Sequence, residues 1–308
     1  MDQMKRLWYV LTHFGFSFFV LNILDHINNL LKMDNEFQHF IHSIRYKKIE
    51  TFLLNNNKEL IEKYKNKSVV TTSNNEKKVI WVMWWQGIQN APKIVKICVN
   101  SILNNNPNKK VIILDENNYS KYVDIPQNIL TKVYSGKLSI TNLSDLIRLK
   151  VLSKYGGMWF DSTIYLNKPI NDLFDKYPFF SIKTDHKKWS VSKGLWTTFL
   201  MGCDKNNILF AFSDEVMTNY LQKYDYIIGY FLIDAIISLA YNNIPLCRIE
   251  IDKVPENNNE IYDFQKQINK RYVGNIPTVS KMSARASYIE QDDGNLTNYG
   301  YIKRKQKN

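Results

Sequence analysis

The chain has 308 residues, of which 44% are hydrophobic, so it carries ample material for a buried core and wholesale disorder is excluded. Its net charge of +12 suits nucleic acid, an anionic membrane surface or a phosphorylated small molecule. It holds no RNA-recognition aromatic motif, zinc-finger spacing or helix-turn-helix pattern, and nucleic acid is set aside as a partner.

Leu7 to Leu24 is rich in aromatic and aliphatic residues and approaches the ~20 residues needed to span a bilayer, but it carries His13 near its middle. No small-residue cleavage site follows, which argues against a secretory signal peptide. With Lys5, Arg6 and Lys32 as basic flanks, the segment suits an interfacial helix or a helix docked on the protein's own core better than a spanning anchor. Glu36 to Lys67 reads as charged helix, with Ile41, Ile44, Ile49 and Leu53 among its apolar positions and a polar break at Asn55 to Asn57. Thr71 to Lys77 reads as a polar hinge.

Val79 to Trp84 is apolar throughout and predicts a strand buried on both faces. Trp84 and Trp85 at its end either pack into the core or cover a ligand. Pro92 to Leu103 predicts a helix with proline in the first turn, where its missing N–H is harmless. Lys110 to Leu114 predicts the second strand, completing a βαβ unit of the nucleotide-binding kind. The absence of GxGxxG and GKS/GKT motifs argues against dinucleotide dehydrogenases and P-loop enzymes. Cys98, Cys203 and Cys247 are too few and too scattered for a disulfide framework or zinc knuckle, and read as reduced thiols of a cytosolic protein.

Thr141 to Leu166 combines three signals. A helical pattern, with Thr141 or Ser144 as its cap, ends at Gly156-Gly157. Met158, Trp159 and Phe160 then predict a buried strand that delivers Asp161 at its C-terminal end, where open α/β sheets place their ligands. Asp145 and Arg148 share one helix face, as a surface ion pair or as a polar pair aimed into the cleft that receives Asp161.

The segment SDLIRLKVLSKYGGMWFDSTIYL resembles the SDxxRxxxLxxxGGxxxDxD block of sugar-nucleotide glycosyltransferases with the GT-A fold, and most nearly the bacterial capsular polysaccharide synthesis family. The resemblance runs from about Val79 to Ala286 and includes the turn at Tyr122 to Pro126. It implies an α/β fold: a GT-A-like, single Rossmann-type mixed sheet flanked by helices. An N-terminal helical extension would occupy 1–70, the glycosyltransferase domain 71–290 and a basic tail 291–308, disordered at its terminal KRKQK. By resemblance Trp84 lies against the nucleotide base, with Trp85 the alternate. Asp145 would bond sugar hydroxyls, and Arg148 would orient the donor. Ser162 and Thr163 stand where many relatives carry x-Asp, so a divalent cation, Mn2+ or Mg2+, would be held by Asp161 with Thr163 as a weaker oxygen ligand. A metal-free variant with Lys and Arg against the phosphates is the alternative.

Further on, Phe179 to Lys183 and Trp196 to Cys203 predict strands, and the polar loop between them carries His186 as a solvated side chain or a base. Asn207 to Lys223 and Ile228 to Tyr241 predict helices. Asp234 in the second is a structural network member or an acceptor-side group, since a buried carboxylate needs partners. Ile251 to Asn259 resembles the family's IDxVPxNN turn, and Val279 to Ser283 a segment with lysine and hydroxyls. On a C-terminal loop there, Lys281, with Arg285 second, would close over a diphosphate.

The resemblance thus implies a metal-assisted, retaining transferase that moves sugar from a nucleotide-sugar, a UDP-sugar foremost, to a capsular or surface glycan or lipid-linked glycan. It would work in the cytoplasm on the inner face of the cell membrane. The alternatives are an aspartate-nucleophile phosphatase, which would need a carboxylate at Thr163, and an inactive basic membrane-associated scaffold.

Overall fold

In the computed structural model the described residues are 3–31, 35–67, 79–169, 174–184 and 190–306. The hinge at 71–77 and His186 lie outside them. Four helices lead the chain: α1 (Gln3–Phe14), α2 (Phe16–Leu31), α3 (Asn35–Asn56) and α4 (Lys58–Lys65). Gly15, at φ 92°, breaks the apolar N-terminal stretch into two helices, a conformation glycine adopts without a Cβ clash. Val10, Phe14, Phe18 and Leu21 face inward, and Ile49 and Leu53 of α3 are fully buried. The segment is docked on the protein's own core. Among the described residues no helix is long and apolar enough to cross a membrane.

Next come β1 (Val79–Met83), α5 (Lys93–Asn104), β2 (Lys110–Leu114), α6 (Gln127–Tyr134), α7 (Ile140–Tyr155) and β3 (Gly157–Asp161). They are followed by β4 (Ile164–Leu166), β5 (Phe179–Ser181) and β6 (Leu200–Cys203). The main sheet has the order β2-β1-β3-β6-β5, with β2, β1 and β3 parallel and β6 and β5 antiparallel to their neighbours. This is the mixed, Rossmann-type α/β sheet flanked by helices that the sequence predicts. Met83 stands level with Leu114 on one side and Asp161 on the other, so the C-terminal ends of the three parallel strands form one edge. Ligands of open α/β sheets bind at such an edge.

The remaining elements are α8 (Ile208–Lys223), α9 (Leu232–Asn243), α10 (Pro245–Lys253), α11 (Asp263–Lys266), β7 (Val279–Lys281), the short hairpin β8 (Gln291–Asp292) and β9 (Asn295–Leu296), and α12 (Asn298–Lys305). The segment expected to be a loop around Lys281 is strand β7, paired antiparallel with β4. The first three residues of the KRKQK expected to be disordered, Lys303 to Lys305, complete helix α12, with Thr297 capping its start and Ile302 fully buried. Ile251 to Lys253, expected in a turn, complete α10. Helix α7 is capped by Ser139 rather than Thr141 or Ser144, because Asn142 completes a capping box with it. Buried residues from Val10 to Ile302 form one continuous core.

Candidate functional site

Helix α7 and strand β3 set the site. Most of α7 is covered, and of its four charged residues Asp145 and Arg148 are buried with it. Burial of charge demands partners. Arg148 Nη1 lies 3.1 Å from Asp145 Oδ1, and Nη2 lies 3.1 Å from Asp161 Oδ1. The surface-pair reading of Asp145 and Arg148 is thereby excluded. Trp159, two residues before Asp161 on the same strand face, donates its indole N–H to Asp161 Oδ1 at 2.9 Å and carries the Arg148 guanidinium 5.0 Å above its ring.

The second oxygen of Asp161 meets a different element. Lys281 of β7 donates from Nζ to Asp161 Oδ2 at 2.8 Å and to Thr163 Oγ1 at 2.6 Å. The short β4–β7 ladder fixes this approach: Ile164 is level with Lys281, and the Met282 N–H donates to the Thr163 carbonyl at 2.8 Å.

Beside this cluster opens a cavity of about 330 Å3, whose lining includes Trp196, Phe199, Phe231, Asp234 and Tyr262. Phe199 joins the two regions. Lys281 Nζ lies 5.2 Å from its ring, and Tyr262 meets its edge. Asp234 Oδ1 accepts the Trp196 indole N–H at 3.0 Å.

The three carboxyls titrate differently. Burial pushes Asp145 up to about 7, against the pull of Arg148 and with Asp161 and Asp234 adding to the rise. Burial also raises Asp234 to about 6, opposed by the Trp196 hydrogen bond and by Arg148. For Asp161 burial acts in the same direction, but Lys281 and Arg148 outweigh it and hold the carboxyl below its ordinary value.

The sequence-predicted residues therefore fall into three places. Asp145, Arg148, Asp161, Thr163 and Lys281 form one connected group. Asp234 lines the adjoining cavity. Trp84 and Trp85 follow β1 at the same sheet edge; Trp85 is buried and packs on Tyr119 with ring centroids 5.4 Å apart, whereas Trp84 is half-buried. The sequence reading passed over Trp159, Trp196, Phe199 and Tyr262. Of these only Trp159 had a local signal, its i−2 spacing from Asp161.

The residues at Asp161 do not fit a divalent cation. Such an ion needs about six oxygen ligands about 2 Å away, at least one of them a carboxylate oxygen left free to bind it, with waters and substrate phosphates completing the shell. Here a single carboxylate already has an ammonium on one oxygen and a guanidinium on the other, and the ammonium sits between Asp161 and Thr163. Among the described residues no group of three His, Cys, Asp or Glu is placed to hold a metal. All three cysteines are free and buried.

A family model described as capsular polysaccharide synthesis protein matches residues 9–280. The chain is also 30% identical over 105 residues to the O-glycosyltransferase braB of Annulohypoxylon truncatum, a match covering 31% of this chain and 25% of that protein.

Proposed function

Since the chain belongs to the capsular polysaccharide synthesis protein family, we propose that it is a glycosyltransferase that moves a sugar from a nucleotide-sugar donor, a UDP-sugar first among the candidates, to a glycan or lipid-linked glycan acceptor. The observation that carries this reading is the convergence of Asp145, Arg148 and Asp161, from a helix and the strand after it, on the sheet edge beside a cavity. In this reading Trp84 supports the base by stacking, which contributes about 1–3 kcal/mol. Asp145 accepts hydrogen bonds from sugar hydroxyls, and Arg148 holds sugar and phosphate in place. Asp234, in the cavity wall, accepts from the acceptor hydroxyl. The acceptor approaches the face from which the diphosphate departs, and the anomeric configuration is retained. A nucleophilic role for Asp161 fits poorly, because both its oxygens already accept from cationic donors.

The inner membrane surface is the proposed place of action. Met4, Trp8 and Phe16 are exposed on the N-terminal helices near Lys5 and Arg6, a pairing suited to anionic lipid.

The test is donor hydrolysis over a panel of nucleotide-sugars. Wild type should release nucleoside diphosphate from at least one. Asp145→Ala and Asp161→Asn should each lower that rate by about a hundredfold or more, with unchanged circular dichroism. A wild type inert toward every donor, or variants as active as wild type, would sink the reading.

A further inference from the structure

We propose that the ammonium of Lys281 stands in the position that a two-carboxylate site gives to a divalent cation, so that the donor diphosphate is held and neutralised by Lys281 and Arg148 without metal. This rests on reading the cleft as a sugar-nucleotide site and specifies how that site handles the leaving group.

Three observations carry it. First, Lys281 Nζ bridges the oxygens of the Asp-Ser-Thr triplet that a cation would have to use, at 2.8 Å from Asp161 Oδ2 and 2.6 Å from Thr163 Oγ1. Second, the ammonium is built in. Its strand is paired to β4, its backbone N–H donates to the Ile261 carbonyl at 2.8 Å, and its side chain, only 20% exposed, runs over Phe199. Third, an ammonium has three N–H bonds. Two are engaged by Asp161 and Thr163, and the third is available to a phosphate oxygen. Arg148 lies on the other side of Asp161, shared with Asp145, so two fixed cations meet on Asp161 itself. A divalent ion would add two more positive charges at hydrogen-bond range of both.

The chemistry balances without another participant. The bond from the sugar C1 to the diphosphate oxygen breaks, and its electron pair stays on that oxygen. The acceptor hydroxyl oxygen bonds to C1, and its proton passes to the diphosphate. The negative charge that develops on the leaving oxygen falls beside Lys281, where a preorganised cation stabilises it without reorganisation.

The experiment is calorimetric titration of the full chain, stripped with EDTA, with UDP, GDP, CDP and ADP, repeated in excess Mn2+. At least one diphosphate should bind in EDTA, with a Kd that Mn2+ improves by less than about threefold. Lys281→Met should weaken that binding about tenfold or more, the loss expected for one charge-assisted hydrogen bond. Lys281→Arg should keep most of it. Tighter binding in Mn2+ by more than about threefold, or a Lys281→Met variant with unchanged Kd, overturns the proposal and leaves the glycosyltransferase reading standing. No binding of any diphosphate in either condition overturns both. The EDTA–Mn2+ comparison on wild type decides the matter even if the variants fold poorly.

Discussion

Asp145 and Asp161 share Arg148 yet titrate in opposite directions. The difference lies in the number of cations each one meets. Asp161 has two, whereas Asp145 has one and also feels two neighbouring carboxylates. The consequence for stability follows from proton linkage. With a folded value of about 7, Asp145 binds more protons in the native than in the unfolded chain between about pH 4 and 7. Stability therefore falls as pH rises through that window, and Asp234 acts in the same sense up to about 6. The contribution of Asp161 has the opposite sign: it is complete above the unfolded value and is lost only as pH falls through the lower folded one. The two windows do not overlap. Asp145→Asn, which cannot ionise, should remove a loss of stability on the order of a few kcal/mol between pH 4 and 7.5. Urea unfolding at a series of pH values measures this; an unchanged slope in the variant would refute the placement of that proton. The variant should gain relative stability at neutral pH while losing donor hydrolysis, because the carboxylate that strains the fold is the one offered to the sugar.

Helix α7 meets strand β3 at two glycines, and the second is the tighter. Gly157 has φ 91°, and a Cβ there would lie 2.5 Å from the Val79 carbonyl oxygen. That oxygen belongs to the neighbouring strand, so it cannot move without displacing the β1–β3 pairing that brings Asp161 level with Met83. Gly157→Ala should lower stability by more than about 3 kcal/mol. Gly136→Ala provides the control. It also has positive φ, at 74°, but open space around it, and should cost only about 1–2 kcal/mol. Equal losses in thermal or denaturant unfolding would show that the backbone approach does not matter. The same elements show what the sequence could reveal. β1, β2 and β3 were legible because each is a continuous apolar run bounded by turn residues, as strands covered on both faces require. The convergence of Asp145, Arg148 and Asp161 was legible because one helix and one adjacent strand carry all three. β7 was not, since Val279–Lys281 is a strand only by virtue of its pairing with β4, more than a hundred residues earlier. Trp196, Phe199 and Tyr262 were hidden for the same reason: each reaches the site through tertiary packing, with no periodicity to announce it.

At the scale of the whole molecule, the N-terminal helices belong to the site's scaffold. Helix α3 packs on α9, whose first turn carries Asp234. Tyr46 Oη accepts the backbone N–H of Phe231 at 2.8 Å, at the entry to α9, and Phe231 lines the cavity. Ile49 is fully buried against Gly229, where a Cβ would come within 2.6 Å of its Cδ1. A separate helical domain would have a core of its own and would unfold independently. One continuous core predicts instead a single cooperative transition. Ile49→Ala tests this, because truncating a fully buried isoleucine costs about 2–5 kcal/mol, and in one core the whole molecule must lose it. Four of the seven tryptophans, Trp81, Trp84, Trp85 and Trp159, lie in β1 and β3 or directly after β1 and weight fluorescence toward the sheet, whereas far-ultraviolet circular dichroism weighs the helices. Both signals should shift to lower denaturant together in Ile49→Ala. An early loss of helical signal, with tryptophan emission unmoved, would show that the N-terminal helices ride on the catalytic fold without holding up the wall that bears Asp234.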